Sequence, residues 1–353
     1  MFEKVFYKDM DKKEWDNFVL KNSFGGFEHT SDFMDSWEIA NDSICEHFRE
    51  NLSFAIRDEK EILAIFNLFK YHSKKDKKIF NVKYCTKHKY SFVSESGFVP
   101  KDGLGHKYYN KIARFAIEIL DQLVDTYKVK SFSAGMSFYA PAVLPNPSIP
   151  LYNPFIYWGF KGTMSTMSVI NLQNKNGSEI FKNYSETTKQ DIKKIINDSS
   201  YKIREAQATQ EDLDVFYELH KKTYNRTGAI PFDRVLYEKY FFEIMPKGRC
   251  RIIFLEQNNK VIACNITCNY KNNYLYHANA SAPDQLPGVN KILLHNQILY
   301  ALEKNGLFFA IGSLFPYERS GKLKGLTDFK SGWGGEVCTR YTGEYFQTYK
   351  HKK

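Results

Sequence analysis

Between Cys250 and Ser313 the chain reads CRIIFLEQNNKVIACNITCNYKNNYLYHANASAPDQLPGVNKILLHNQILYALEKNGLFFAIGS, and few folds accommodate that order of patterns. Three apolar runs, 251–255, 261–270 and 274–281, are separated by the polar turns Gln257-Asn258-Asn259 and Lys271-Asn272-Asn273. Such short turns predict an antiparallel meander. After Pro287-Gly288 the period changes, with Ile292, Leu293, Ile298, Leu299 and Leu302 at helical spacing. Asn305-Gly306 stops that helix, and 307–311 starts another buried strand. The order is strand, strand, strand, helix, strand.

At 353 residues the chain has room for two domains with their own cores. Hydrophobic residues make up 43% and charged residues 25%, which is ordinary for a globular protein. The aromatic share, 16%, predicts strand-rich cores with large side chains. A net charge of +10 favours anionic partners such as RNA, nucleotide phosphates or an acidic membrane surface. Its lysines are spread out, apart from Lys74-Lys75-Asp76-Lys77-Lys78 and the terminal Lys350–Lys353, and neither cluster is a dedicated RNA motif. MFEKVFYKDM has no apolar signal region, and no run approaches eighteen apolar residues, so a cytoplasmic protein is expected. The six cysteines form no CxxC pair or zinc spacing and are expected to be reduced thiols.

In order, the first half reads as a strand at 2–7, a helix capped by Asp11 and a second capped by Thr30 or Ser31. Strands at 45–57 and 62–72 follow around a turn at 58–61, then an apolar run at 79–84, a helix at 104–127 and a strand at 129–132. Prolines 141, 145, 147, 150 and 154 crowd a segment expected to be a packed surface loop. The second half starts with a strand at 165–172 and one basic helix at 177–197, whose exposed face carries Lys182, Lys189, Lys193 and Lys194. A strand at 201–205 and helices at 211–226 and 234–244 lead into the opening stretch, and 327–349 is expected to supply closing strands. The halves share an element order without a residue-level repeat, so two tandem domains are expected at 1–164 and 165–326, with 327–353 closing the fold and returning to the first.

The 250–313 order resembles the core of an acyl-CoA-type N-acyltransferase (GNAT) fold. Four segments extend the likeness to nearly the whole chain: GGFEHTSDFMDSW, the basic helix ending KKII with DLDVFYELHKKTYNRTG after it, YLYHANAS with GVNKILLHNQILYALEKNG, and LTDFKSGWGGE. Together they resemble the Fem family of peptidoglycan-bridge aminoacyltransferases and their relatives in polysaccharide gene clusters. The resemblance implies an α+β fold of two tandem GNAT-like domains, each a mostly antiparallel mixed sheet flanked by helices. It places the acceptor on the first and the donor on the second. It implies transfer of an aminoacyl or acyl group to an amine of a cell-envelope saccharide or peptide, lipid-linked or free. No cofactor is tightly bound, and the co-substrate is aminoacyl-tRNA or acyl-CoA. Partners are that acceptor, tRNA and peripherally a membrane surface, but not DNA. The alternative is a binding module of the same fold that recognises polysaccharide or RNA without turnover.

On the same resemblance Phe329-Lys330 lies at the reacting centre, with Lys330 stabilising the tetrahedral intermediate. Arg226 is placed to hold phosphate or carboxylate, and Tyr276, Trp37 and His29 to contact substrate. Gln285-Leu286-Pro287-Gly288-Val289-Asn290 partly matches the Q/R-x-x-G-x-G/A phosphate loop of acyl-CoA users, making Gln285, Gly288 and Asn290 the donor-binding candidates. Asn290 departs from the Gly or Ala of that loop. Glu38-Ile39-Ala40 after Trp37 departs from the lysine that bridge-forming enzymes carry there. Strand alternation lets only one of Tyr276 and His277 face a cleft, and His277 is expected to be a satisfied core histidine.

Overall fold

The structure is a computed structural model that describes residues 1–40, 48–79, 82–138, 153–157, 159–283, 285–286 and 288–345, with the backbone alone at 48, 73–79, 82–89, 154 and 157. The chain divides into two compact units, Met1–Met164 with Thr339–Lys353, and Ser165–Cys338.

The first unit starts with β1 (Glu3–Phe6), α1 (Lys12–Lys21) and α2 (Ser31–Ile39). The Asp11 side chain accepts from Lys13 N to cap α1, and the Thr30 hydroxyl accepts from Phe33 N to cap α2. Next come β2 (Phe48–Asn51), β3 (Phe54–Arg57), β4 (Ile62–Phe66), β5 (Phe69–Ile79), β6 (Val82–Ser94) and β7 (Phe98–Pro100), then α3 (His106–Tyr127), β8 (Ser131–Gly135) and the single turn α4 (Pro154–Tyr157). The two long strands expected at 45–57 and 62–72 are each broken in the middle. Leu52 N donates to Leu68 O and Leu68 N to Ser53 Oγ, and at that joint the paired chains leave one sheet, β1-β3-β4-β7, for another containing β2-β5-β6-β8.

The run expected at 79–84 is not one strand. Ile79 ends β5 and pairs with Val82 at the start of β6, so the lysine cluster lies along β5. β6 and β8 run parallel, joined by α3, whose apolar stripe (Ile112, Ala116, Ile119, Leu123) is buried. Most of the proline-rich segment and Trp158 lie outside the described residues, as does the Lys350–Lys353 cluster; Phe155 and Phe160 are buried, and Phe160 meets Phe132 edge-on at 5.0 Å.

The second unit opens at Ser165, within β9 (Lys161–Asn171), and goes on with α5 (Gly177–Lys182), α6 (Glu186–Ile196), β10 (Tyr201–Glu205), α7 (Gln210–Thr227) and α8 (Arg234–Lys239), which runs into a π-helical turn at Tyr240–Ile244. It continues with β11 (Cys250–Gln257), β12 (Lys260–Tyr270), β13 (Asn273–Ser281), α9 (Gly288–Glu303), β14 (Phe308–Leu314) and α10 (Gly321–Ser331). The single helix expected at 177–197 is two, because the Ser185 hydroxyl accepts from Thr188 N and starts α6 afresh. Its strands lie in the order β10-β11-β12-β13-β14-β9. One core of this unit draws on α5, α6, α9 and the sheet, with Ile180, Ile192, Leu293, Ile298, Phe309 and Trp333 fully buried or nearly so. A second apolar group joins α7 to α8 and the π turn, where the Phe216 ring lies 4.7 Å from Tyr237 and 5.7 Å from Phe241.

The closing region also departs from expectation. Residues 321–331 form α10, and among the described residues of this region only Glu336–Tyr345 (β15) is strand. Two glycines, Gly321 and Gly325, mask the helical spacing of Leu323, Leu326, Phe329 and Lys330. Within the first unit, residues 342–345 pair antiparallel with β8. Cys250, Cys264, Cys268 and Cys338 are buried and form no disulfide, while the side chains of Cys45 and Cys85 lie outside the described residues.

Candidate active site

Two neighbouring strands of the second unit part company halfway along. Because α9 carries the chain over, β13 and β14 run parallel, and they pair only at Asn273↔Phe308, Tyr274↔Phe309 and Leu275↔Ala310. Beyond that point β13 stays with β12 as far as Ser281↔Ala263, and β14 stays with β9 as far as Leu314↔Thr166. Each arm bears a bulge at the parting. On β13 the register jumps across His277, since Ile266 faces Ala278 and Thr267 faces Tyr276. On β14 it jumps across Ile311, since Ala310 faces Val169 and Gly312 faces Ser168. Bulges bend a strand and add twist, which is how two paired strands are driven apart. In consequence Tyr276 to Asn279 are partly exposed although they sit in the middle of a sheet. Backbone N–H groups facing such a gap have no strand partner and are free to hold a carbonyl oxygen.

Lys330 sits over the β14 arm. It comes from the last turn of α10, not from a strand, and its Nζ donates to Ser313 O at 2.8 Å. Gly312, at φ +103°, has no side chain to block the approach; a Cβ there would stand 3.2 Å from Nζ. Among the described residues no carboxylate pairs with this ammonium, and burial holds its pKa below the usual lysine value. Phe329 packs edge-on against Trp333 at 5.9 Å and lies 6.2 Å from the Tyr276 ring. Tyr276 belongs to that same core, and burial raises its phenol well above the ordinary value, so it stays protonated. The structure therefore brings Lys330, Phe329 and Tyr276 together at one gap.

Arg226, at the end of α7, reaches the tip of the β13 arm. Its guanidinium donates to Ala282 O at 3.2 Å and, less closely, to Ser281 O and Oγ. Thr223, one turn earlier, exchanges hydrogen bonds with Ser281 N and O. No described carboxylate neutralises Arg226, so a cation stands at the open end of the gap.

The proposed phosphate loop has a structural explanation of its own. A Cβ on Gly288 would overlap Asp191 O of α6 and stand 2.8 Å from Ile195 Cγ1, so this glycine lets α9 lie against α6. Lys291 and Asp191 lock the same contact with a 2.8 Å ion pair, each side chain only 12% exposed. Gln285 donates to Pro283 O at 3.3 Å, and Asn290 Oδ1 is buried with no hydrogen-bond partner among the described residues. Gly288→Ala is expected to lower stability by about 1–3 kcal/mol through overpacking, read as an earlier urea midpoint. An unchanged midpoint with weaker donor binding would return Gly288 to a phosphate role.

The first-unit candidates lie elsewhere and are described separately. Trp37 stacks on Phe33 at 5.6 Å, donates to Tyr71 OH at 3.1 Å and carries the Arg49 guanidinium 4.3 Å above its ring. It is partly exposed, so contact with a ligand is feasible. His29 is not a ligand contact. It is fully buried, its Nδ1 accepts from Gly26 N at 3.1 Å, and its carbonyl accepts from Trp15 Nε1 at 2.7 Å. A ring that closes a turn from inside presents no surface to a substrate.

His277 corrects the sequence expectation in the opposite direction. It is no satisfied core histidine: it is partly exposed, and among the described residues neither ring nitrogen has a hydrogen-bond partner. The bulge is invisible to an alternation count, and only the changed register reveals it. Gly312 was also missed; a lone glycine in a strand pattern was the available signal.

Residues 182–310 match the family model described as an acetyltransferase (GNAT) domain. No curated protein matches the sequence. Among solved structures, the chain is similar to FemX at 12% identity over 96% of each chain, with a TM-score of 0.67. It is similar to L-PGS from Bacillus licheniformis at 10% identity over 81% of each chain, TM-score 0.52. A tandem GNAT protein from the clavulanic acid biosynthesis pathway aligns at 10% identity over 98% of each chain, TM-score 0.51. The chain has the tandem GNAT, Fem-like fold, and residues 182–310 of it match the acetyltransferase (GNAT) domain model.

Proposed function

We propose that this chain transfers an aminoacyl group from charged tRNA to an amine of a cell-envelope saccharide or peptidoglycan precursor, forming an amide. The observation that carries the reading is the gap between β13 and β14 with a desolvated Lys330 ammonium on its rim, held by Ser313 O and paired with no carboxylate among the described residues. A neutral amine attacks the activated carbonyl, and its oxygen gains charge beside the free backbone N–H groups and Lys330. Holding both reactants at the gap supplies much of the remaining rate. One observation favours a tRNA ester over acyl-CoA as donor: packing against α6 explains Gly288 without a phosphate. Lys182, Lys193 and Lys194 are exposed on and beside α6 and suit contact with an RNA backbone. Among the described residues no helix is long and apolar enough to cross a membrane, so a lipid-linked acceptor would be met at the surface. A tRNA donor places the reaction in the cytoplasm.

Thermal denaturation with bulk aminoacyl-tRNA, acetyl-CoA or longer acyl-CoAs tests the donor. Saturating charged tRNA at about 100 times its Kd is expected to add roughly 2.7 kcal/mol of stability, while CoA thioesters add none. Stabilisation by a CoA thioester alone would move the donor assignment to acyl-CoA. No response to either, with no turnover, would favour a binding module that recognises polysaccharide or RNA.

A further inference from the structure

We infer that His277 is the proton acceptor of the transfer reaction, a role that rests on the acyltransferase reading above. The two diverging arms carry residues 276–281 on one side and 311–314 on the other. Among those ten residues His277 is the only one with a basic lone pair; there is no carboxylate on either arm. Tyr276 is held protonated, and Lys330 is a cation committed to Ser313 O. The amine nitrogen must nevertheless lose a proton before the adduct can collapse to an amide.

Position and geometry single out His277. It is the extra residue of the β13 bulge, two residues past Leu275, the last residue of β13 that pairs with β14. Its ring stacks on Tyr240 at 4.9 Å with 22° between planes, which fixes its plane while leaving both nitrogens without a partner among the described residues. Tyr240 opens the π-helical turn that ends α8, an irregularity common at functional sites. Burial lowers the imidazole pKa to about 4, so the ring is neutral and its lone pair available across the physiological range. By contrast, the Nδ1 atoms of the buried His220 and His295 rings lie within hydrogen-bond distance of the Tyr237 and Tyr184 hydroxyls.

The step balances. The amine nitrogen bonds to the carbonyl carbon, and the carbonyl π pair moves to oxygen, giving an adduct with a cationic nitrogen. His277 takes that nitrogen's proton. The oxyanion pair returns, the bond from carbon to the ribose oxygen breaks, and the leaving oxygen receives the proton from the imidazolium. The products are an amide and an alcohol, with no net proton change.

The experiment uses the full chain, bulk charged tRNA as donor, and a lysine peptide and glucosamine as amines. His277→Ala is expected to lower kcat by about 100-fold or more, with both KM values and the melting temperature near those of the unaltered protein. Free imidazole is expected to restore activity to His277→Ala and to leave His277→Gln, whose amide fills the space, much less affected. A kcat for His277→Ala equal to that of the unaltered protein overturns the assignment while leaving the acyltransferase reading intact. A loss that imidazole does not restore also overturns it and makes His277 structural. No turnover by the unaltered protein with any donor would overturn both.

Discussion

Lys330→Met is expected to reduce kcat by about 10²–10³-fold, the usual loss when one preorganised donor to an oxyanion is removed. Methionine keeps most of the apolar stem and deletes the charge. Acceptor affinity, read by calorimetry, should therefore hold while turnover falls. The pH profile adds a second test. Desolvation depresses the Lys330 pKa, and the charged form is the active one, so kcat/KM should fall on the alkaline side earlier than an ordinary lysine would allow. Stability should move the other way. Between the depressed folded value and the ordinary unfolded one, the unfolded chain binds more protons, so folding becomes more favourable as pH rises through that window. Activity lost while stability is gained separates a charge effect from simple unfolding. Turnover by Lys330→Met at the rate of the unaltered protein would remove Lys330 from the mechanism.

Local rules carried much of the fold. Asn258-Asn259 and Lys271-Asn272 adopt the positive φ that tight hairpins require, so the meander was legible from its turns alone. The 3.6-residue stripe of α3 and the apolar run of α9 gave helices within two residues of those found. What failed was wherever the chain changes partner without a change in composition. Leu52-Ser53 and Leu68 bend two apolar strands from one sheet into another, yet nothing in their hydropathy marks the joint. Ser185 restarts a helix in a stretch whose polarity never changes.

The site was legible in part for the same reason. Lys330, Phe329 and Tyr276 were found through a resemblance of motifs, and the structure assembles them on one gap. That gap depends on the two bulges at His277 and Ile311, and a one-residue slip in pairing leaves no trace in a single sequence. Alternation alone therefore makes His277 a core residue, whereas the slip leaves it partly exposed, with no hydrogen-bond partner for its ring among the described residues. Gly288 shows the converse error: its place in a phosphate-loop pattern is equally its place against Asp191 and Ile195, and the motif could not tell the two apart.

Trp333→Ala is expected to cost about 3–5 kcal/mol, or about 10 °C in melting temperature for a unit of this size. The indole is fully buried, meets Tyr184 edge-on at 5.0 Å and Phe329 at 5.9 Å, and links α5–α6 to the end of α10. Its neighbours leave no room for the chain to collapse into the hole. Gly332 O accepts from Ser185 N at 2.9 Å, and a Cβ on Gly332 would sit 2.6 Å from Thr188 Oγ1. Gly334 turns at φ +67° against Asn183 O, and a Cβ on Gly335 would sit 2.5 Å from Ser168 Oγ. These glycines pin the backbone on both sides of the indole, so truncation leaves a cavity and not a repacked core. Because Phe329 leans on that indole and Lys330 follows it, the same change should loosen the ammonium from Ser313 O. Trp333→Phe fills much of the space and should recover most of the stability. Recovery of stability without recovery of turnover would mean that the indole itself sets the position of Lys330; recovery of both would assign the effect to volume alone. A melting temperature unchanged in Trp333→Ala would contradict the packing described.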